Sequence, residues 1–371
     1  FKAVVTSGVA AAHAFEILQA TQLGDDLALF QVLQPYPLHH AFISELLANY
    51  ETILVIEETM GVIEMQLADR TRVKGKLTND VPRVGELLPE TIEGLMDGFA
   101  GRQAETRAVP AVPGRRPTLC AGCPHRASFF AIKKAAPKAI YTSDIGCYTL
   151  GLNLGAVDTV LCMGAAISQA AGFYHAHKNE DRPPKIIATI GDSTFFHAGV
   201  PALIDAVVQK VRFVLVILDN RTTAMTGNQP TPATGVGVSG ENLQAIDMEA
   251  LVKGCGITSV RTGDPYDLKE FIGLVKAAVA DSQIKGPAVV IARRACLLDR
   301  RQAPPSHPPR KIEVTDTCDG CGFCIKHFEC PALVMHGEGD QAFVTVDPVL
   351  CSGCGVCIAV CPKKSIQESR G

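Results

Sequence analysis

The stretch 185–220 places two apolar strands around one helix and follows each strand with a polar residue. The runs 186–190 and 213–218 are short and rich in aliphatic residues, which predicts two buried strands. Apolar residues at helical spacing predict a helix over 201–208. Strand, helix and strand in this order form the repeating unit of a parallel sheet. This stretch therefore restricts the fold to the α/β class.

Asp192 and Asn220 follow these two strands, with 27 residues between them. Because the carboxyl ends of neighbouring parallel strands meet at one sheet edge, we expect the two side chains to face one ligand site. Carboxylate and amide oxygens suit Mg²⁺, and the Ser193 and Thr194 hydroxyls with the helix amides can hold a diphosphate. The alternative is ordinary turn chemistry after two strands. The paired arrangement resembles the thiamine diphosphate motif and favours a cofactor site.

The composition excludes several classes of protein. The chain has 371 residues, 47% of them hydrophobic and 20% charged, which predicts two or three globular domains. A net charge of −3 gives no electrostatic support for binding nucleic acid or a membrane surface. We identify neither a signal peptide nor an apolar run long enough to span a bilayer. Because the chain opens with Phe1 rather than Met, we expect the natural N terminus to lie upstream.

Eight of the 14 cysteines lie in the last 54 residues, which favours metal ligation in a reducing cytoplasm over disulfides. They form two C-x-x-C-x-x-C runs offset by 33 residues, each followed by Cys-Pro, as in two-cluster bacterial ferredoxins. In that pattern the fourth cysteine of each run serves the other cluster. The predicted [4Fe–4S] ligands are Cys318, Cys321, Cys324 and Cys361 (tail set 1) and Cys351, Cys354, Cys357 and Cys330 (tail set 2). Glycines 320, 322, 353 and 355 let backbone amides approach the sulfurs.

One departure is visible in the first run, where five residues separate Cys324 from Cys330, against three in the second run. A zinc ribbon is the alternative for these cysteines, and the doubled motif disfavours it. Four further cysteines follow or precede predicted strands: Cys120, Cys123, Cys147 and Cys296, here named the proximal set. From spacing alone they fit a third [4Fe–4S] cluster, a zinc site, a redox pair or coincidence. We predict that Cys162 and Cys255 are buried structural thiols.

The alternation of strands and helices and two proline-rich stretches predict the domain limits. Glu57 and Glu58 follow a strand of the first domain, where they are either catalytic or, as we favour, acids that start a helix or face an interface. The predicted organisation is an α/β domain at 1–107, a linker at 108–117, a doubly wound cofactor-binding domain at 118–299, a linker at 300–312 and a two-cluster ferredoxin domain at 313–371.

With these motifs together, the chain is similar to the α subunits of indolepyruvate:ferredoxin oxidoreductases. These belong to the thiamine diphosphate-dependent 2-oxoacid:ferredoxin oxidoreductase family. The resemblance spans the chain and is carried by PYPL at 35–38, VPRVGELLPE at 81–90, CAGCPHR at 120–126, DIGCYTLG at 144–151, CMGAAIS at 162–168, IGDSTFFH at 190–197, LDNRTTAMTGNQP at 218–230, ARRAC at 292–296 and the ferredoxin tail.

The resemblance implies a transketolase C-terminal-like first domain and a third [4Fe–4S] cluster on the proximal set. It implies Mg²⁺ ligands at Asp192, Asn220 and Thr222, and polar pocket contacts from His125 and His197. The implied cofactor-binding residues are Asp144, Ile145, Gly146, Gly164, Gly191, Asp192, Ser193, Thr194, Asn220, Thr222, Met225 and Thr226. The family's pyrimidine-binding domain has no match here, so it must come from elsewhere in the same chain or from a partner.

The implied activity is oxidative decarboxylation of an aryl 2-oxoacid such as indolepyruvate, giving acyl-CoA and CO₂. Electrons pass through the clusters to ferredoxin, and coenzyme A is a co-substrate. A β subunit in a cytoplasmic hetero-oligomer is the implied partner. The alternatives are a different 2-oxoacid specificity, a non-oxidative thiamine-dependent decarboxylase and a non-catalytic electron-transfer subunit. A non-oxidative enzyme has no use for the tail cysteines, and Asp192 with Asn220 argues against a mere electron carrier.

Overall fold

A computed structural model of the chain describes residues 1–103, 116–237, 239–299 and 309–369. The chain forms two compact units, Phe1–Gly114 and Arg115–Gly371. Residues 108–115 and 300–308 of the two predicted linkers lie outside the described residues, and Ile312 already opens a strand. Across the described ranges, no helix has the length and apolar character needed to cross a membrane.

The first unit is a parallel four-stranded sheet with helices on both faces. Its strands pair in the order β2-β1-β3-β4. Along β1 and β3 alternate residues enter opposite cores: Val4 packs with helices α1 and α4, and Val5 packs with α2 and α3. The elements are β1 Lys2–Ser7, α1 Gly8–Ala20, β2 Leu27–Val32, α2 His40–Asn49, β3 Thr52–Ile56, α3 Val62–Gln66, β4 Val73–Lys74 and α4 Pro89–Ala100.

Glu57 and Glu58, directly after β3, organise local backbone. The Glu57 carboxylate is buried and accepts hydrogen bonds from the amides of Ile63 and Glu64, at 2.9 and 3.0 Å. It therefore satisfies free amides in the first turn of α3, as a helix-start acid does. Glu58 accepts from the Leu87 amide at 3.0 Å. These contacts agree with the favoured interpretation of the two acids.

The second unit is built on a parallel six-stranded sheet in the order β6-β5-β7-β8-β10-β9. The predicted α/β class is thus confirmed. Every residue of β7 and β8, which are adjacent, is buried because helices cover both faces. Its elements are α5 Pro124–Ala135, β5 Ile140–Ser143, β6 Thr159–Val160, α6 Ala165–His177, β7 Ile186–Gly191, α7 Asp192–Thr194, α8 Val200–Val208, β8 Val214–Asp219, α9 Met248–Gly254, β9 Val260–Gly263, α10 Leu268–Lys285 and β10 Ala288–Arg293.

The cysteine-rich tail packs directly on this sheet domain and shares its hydrophobic core. The Phe130 ring of α5 contacts the rings of Phe323 and Phe328 edge-on, with centroids 6.4 and 5.8 Å apart. Two antiparallel pairs, β11–β14 and β12–β13, frame the tail. Its elements are β11 Ile312–Val314, α11 Phe323–Phe328, β12 Leu333–His336, β13 Phe343–Val346, α12 Val356–Val360 and β14 Ile366–Glu368.

Candidate cofactor and cluster sites

Strand register brings the two predicted metal ligands to one sheet edge. Gly191 of β7 pairs with Leu218 of β8, so Asp192 and Asn220 follow neighbouring strand ends. Both side chains are buried and border one open cavity, whose volume including the solvent at its mouth is about 560 Å³. The cavity is lined by His125, Ile145, Gly146, Cys147, Tyr148, Met163, Gly191, Asp192, Ser193, Thr194, Leu218, Asn220, Thr222, Thr223, Ala224, Met225 and Thr226.

Asp192 carries a carboxylate that the described protein atoms do not satisfy. Its Oδ1 accepts the Ser193 amide at 2.8 Å, whereas its buried Oδ2 has no hydrogen-bond partner within the described ranges. Burial and, to a lesser extent, the neighbouring Asp219 raise the pKa of Asp192 to about 8, against the lowering effect of backbone amides. A buried carboxylate with one free oxygen is a site that a cation would stabilise.

Asn220 and Thr222 are held together by a turn at Arg221. Arg221 has φ 63°, in the left-handed region, and an ion pair with buried Asp219 at 3.4 Å accompanies this turn. The turn brings the Thr222 amide to Asn220 Oδ1, which accepts it at 3.2 Å. The two buried side chains thus stand beside Asp192 on the cavity wall, as the predicted Mg²⁺ ligand set requires.

Ser193 and Thr194 open a continuous helical segment that runs from Asp192 to Val208 through α7, a π-helical turn at Phe195–Gly199 and α8. Amides at the start of a helix lack intrahelical acceptors and carry partial positive charge. Because both residues line the cavity, their amides and hydroxyls can bind a diphosphate there.

Tyr148 is a site residue that the motif-based prediction did not single out. Its ring lines the cavity beside Gly191, so closely that a Cβ on Gly191 would lie 2.6 Å from the ring. Its hydroxyl donates a short hydrogen bond to Asp144 and lies 3.3 Å from the Thr194 hydroxyl. Its position inside the DIGCYTLG motif was the available signal. Tyr148 therefore fixes the loop after β5 against the start of α7.

Asp144 and Gly164 do not line the cavity, although the resemblance implied that they bind the cofactor. Asp144 accepts from the Tyr148 hydroxyl and, through Oδ2, from the Gly164 amide at 2.8 Å. Burial raises the pKa of Asp144 to about 6. Gly164, with φ 86°, lets α6 approach Ala198, where a Cβ would leave only 2.6 Å. Both residues support the residues that face the cavity.

The two candidate histidines are in different environments. His125 is buried in the cavity wall, with Nε2 3.4 Å from Asn220 Nδ2, and burial lowers the pKa of His125 to about 4. A neutral imidazole there accepts from the amide and orients the Asn220 oxygen. His197 is exposed and does not line the cavity. The structure therefore brings only His125 to the predicted pocket.

Each tail set surrounds its own cavity. Tail set 1 lines one of about 320 Å³ and tail set 2 one of about 310 Å³. Burial, together with the other three thiols of the same set, raises the pKa of Cys324 to about 11 and that of Cys357 to about 12. Across the described ranges, no three His, Cys, Asp or Glu side chains are placed to hold a single metal ion. The donor chemistry of four thiols around one pocket fits a [4Fe–4S] cluster.

The cysteine loops depend on left-handed glycines. Gly320, Gly322, Gly353 and Gly355 have φ between 61° and 75°. A Cβ on Gly320 would lie 2.2 Å from the Ala342 carbonyl oxygen, which is backbone and unable to move aside. These positions require glycine for conformation and for close backbone approach.

The proximal set gathers beside the cofactor cavity. Cys147 lines the cavity, and burial together with the thiols of Cys296 and Cys120 raises the pKa of Cys147. Burial raises the pKa of Cys123 to about 12, with Cys120 adding to the shift. The Cys296 amide donates to the Asn220 carbonyl at 3.0 Å. The four thiols thus lie in one electrostatic neighbourhood, next to the predicted Mg²⁺ ligands.

The prediction for the two remaining cysteines is half right. Cys255 is buried, whereas Cys162 is exposed, so the prediction that Cys162 is a buried structural thiol is wrong. The physical reason is that β6, Thr159–Val160, is a two-residue strand at the sheet edge. The segment after it lies at the surface rather than under a covering helix.

Comparison with family models defines the class. Residues 144–292 match "Thiamine pyrophosphate enzyme, C-terminal TPP binding domain", and residues 344–367 match "4Fe-4S binding domain". The first match contains the cofactor cavity residues from Ile145 to Thr226, and the second contains the second cysteine run. The chain therefore contains one segment similar to thiamine diphosphate-binding domains and one similar to 4Fe–4S-binding domains.

Individual relatives are more specific. The chain is 36% identical to "Indolepyruvate oxidoreductase subunit IorA" from Methanothermobacter marburgensis over 98% of its own length and 59% of that protein. It is 37% identical to the protein of the same name from Archaeoglobus fulgidus, over 99% of this chain and 60% of that one. The resemblance inferred from the motifs is confirmed. The chain spans about 60% of the length of these relatives.

Among solved structures, 2-oxoglutarate:ferredoxin oxidoreductase from Magnetococcus marinus aligns with a TM-score of 0.41 and 20% sequence identity. The alignment covers 53% of this chain and 74% of that chain. A TM-score of this size supports no functional inference.

Proposed function

We propose that this chain is the diphosphate-binding and electron-transfer part of an indolepyruvate:ferredoxin oxidoreductase. The enzyme converts an aryl 2-oxoacid and coenzyme A to acyl-CoA and CO₂ and passes two electrons to ferredoxin. The observation that carries the proposal is the buried, half-satisfied Asp192 carboxylate in a cavity that the proximal thiol of Cys147 also lines. The names of the relatives support the aryl 2-oxoacid.

The donor set fits Mg²⁺ and a diphosphate. Asp192 Oδ2, Asn220 Oδ1 and the Thr222 hydroxyl would hold the ion, and the amides and hydroxyls of Ser193 and Thr194 would bind phosphate oxygens. Buried neutral His125 keeps the Asn220 amide in its orientation. The side chains of Ile145 and Leu218 give part of the cavity lining an apolar character.

Bound thiamine diphosphate supplies the carbon nucleophile and electron sink for decarboxylation, and iron–sulfur clusters accept electrons singly. In the proposal the proximal set holds a third cluster beside the cofactor. Tail sets 1 and 2 hold the other two. The pyrimidine-binding domain is supplied by residues outside this sequence, in the same chain or in a partner, and a β subunit completes a cytoplasmic hetero-oligomer.

The decisive experiment uses the purified complex and a viologen dye. Dye reduction should require a 2-oxoacid and coenzyme A, and it should be fastest with indolepyruvate among indolepyruvate, phenylpyruvate, pyruvate and 2-oxoglutarate. Asp192→Asn should abolish it while the iron content stays at the wild-type value. Asp205→Asn, which removes an exposed carboxylate on α8, is the matched control and should keep full activity.

Each alternative gives its own result in this assay. A non-oxidative decarboxylase releases CO₂ from the 2-oxoacid without reducing the dye. An electron carrier without chemistry of its own keeps full activity in Asp192→Asn. A different 2-oxoacid specificity leaves the requirement for Asp192 in place and changes only the order of the four substrates.

A further inference from the structure

Arg126, in the first turn of α5, carries a guanidinium with no exposed surface. No carboxylate lies within ion-pair distance of it among the described residues, and the nearby Glu329 pairs instead with Arg116. Arg126 Nε is also buried, and it has no hydrogen-bond partner in the part of the chain that the structure describes. A buried cation is unfavourable unless negative charge or a complete set of acceptors compensates it. The Glu329 carboxylate acts on Arg126 without forming an ion pair with it among the described residues, so a further negative charge nearby would stabilise the buried guanidinium.

The contacts of Arg126 place its charge between two cysteine sets. Nη1 donates to the Phe328 carbonyl at 2.7 Å, two residues before Cys330 of tail set 2. Nη2 donates a short hydrogen bond to the Leu119 carbonyl, directly before Cys120 of the proximal set. The groups that act electrostatically on Arg126 are the thiols of Cys330, Cys123 and Cys120 and the carboxylate of Glu329.

The loops that carry these two sets touch each other. Gly122, between Cys120 and Cys123, also lines the cavity of tail set 2. A Cβ on Gly122 would lie 1.9 Å from the Ser352 hydroxyl, within the Cys351–Cys354 segment. Tyr266 fixes this contact by donating a short hydrogen bond to the Gly122 carbonyl. Tail set 2, not tail set 1, is therefore the neighbour of the proximal set.

We propose that Arg126 is the shared buried counter-charge of the proximal cluster and the tail set 2 cluster, and that it raises both reduction potentials. Four thiolates give a [4Fe–4S] cluster net negative charge, and reduction adds one more, so a fixed neighbouring cation favours the reduced state. Raising both potentials would favour entry of an electron into this pair of clusters, whereas transfer from the proximal cluster to the tail set 2 cluster, with no bond made or broken, depends only on the difference between the two potentials. The inference rests on the cluster assignment of the proposed function.

The test is a potentiometric titration of the holoprotein followed by electron paramagnetic resonance, on Arg126→Gln and Arg126→Lys. Removing the charge in Arg126→Gln should lower the reduced-to-oxidised ratio of two clusters about tenfold at a fixed potential, or about 59 mV for one electron. Arg126→Lys, which keeps the charge, should stay within about threefold of the wild type. Lys363→Gln removes an exposed charge near tail set 1 and should leave these two clusters unchanged.

Wild-type potentials in Arg126→Gln at full iron content overturn the proposal. An equal shift in both variants also overturns it, because hydrogen bonding rather than charge is then responsible. If Arg126→Gln loses iron, the Arg126→Lys variant decides between the two roles. Full iron and wild-type potentials in Arg126→Lys support the role of the charge. Loss of iron in Arg126→Lys as well overturns it and shows that Arg126 only holds the two cysteine loops together. About eight rather than twelve irons in the wild type would refute the third cluster separately, and tail set 2 would still report on Arg126.

Discussion

Replacing Asp192 by Asn removes a buried negative charge while keeping the size of the side chain and an acceptor for the Ser193 amide. In the cofactor-free protein the ionised carboxylate has no partner for Oδ2 in the described part of the chain. Ionisation therefore costs free energy that a bound cation would return. We expect the cofactor-free variant to be more stable than the wild type at neutral pH and unable to bind Mg²⁺-diphosphate.

The size of the effect follows from the pKa of Asp192, which burial raises from 3.8 to about 8. Between these two values the folded protein binds more protons at this site than the unfolded chain. The stabilisation from the neutral carboxyl is present below the unfolded pKa and is lost as the pH rises toward 8. The free energy of unfolding changes by at most about 1.4 kcal/mol per pH unit, so the wild type loses up to about 4 kcal/mol of this stabilisation by pH 7. Solvent that enters the cavity makes this an upper bound.

The assay is the apparent unfolding temperature of cofactor-free, EDTA-treated proteins between pH 5 and 8. The apparent unfolding temperature of Asp192→Asn should rise relative to that of the wild type as the pH increases. Asp205→Asn, at an exposed position, should have the wild-type unfolding temperature at every pH. Thiamine diphosphate with Mg²⁺ should stabilise the wild type and Asp205→Asn but not Asp192→Asn. A difference between variant and wild type that is the same at every pH would refute the reasoning.

Two further substitutions test the supporting contacts. Tyr148→Phe keeps the ring beside Gly191 but removes the hydroxyl contacts with Asp144 and Thr194. A denaturant titration should show a loss of about 1–3 kcal/mol of unfolding free energy. An unchanged midpoint would contradict the role given to the hydroxyl. Gly320→Ala places a Cβ against the Ala342 carbonyl and should remove the tail set 1 cluster, so chemical analysis should find about four irons fewer per chain. Undiminished iron would show that the loop can relax. The control for a left-handed glycine is Gly339→Ala, whose Cβ would have no described atom within 4 Å.

The residues at the sheet edge were predictable because apolar runs fix where β7 and β8 end, and parallel pairing then places Asp192 beside Asn220. The tail sets were predictable because thiol spacing is short and local. The exposure of His197 was not predictable, because it depends on which face of the helical segment is buried. Phe195 and Gly199 are buried four residues apart on one face of the segment, which turns His197 toward solvent. Asp144 was assigned to the cofactor because sequence cannot distinguish a residue that faces the cavity from one that supports Tyr148 behind it.

The geometry also couples the cavity wall around Asn220 to the proximal thiols. Asn220 presents its side chain to the cavity, and its backbone carbonyl accepts the Cys296 amide at 3.0 Å. On the other side, Cys147 directly precedes Tyr148, whose hydroxyl lies 3.3 Å from Thr194 in the diphosphate-binding turn. Two peptide segments thus each carry both a thiol and a contact with the diphosphate side of the cavity. A displacement of either segment changes both places at once, so under the proposed function the cofactor would be held at a fixed distance from a cluster on the proximal set.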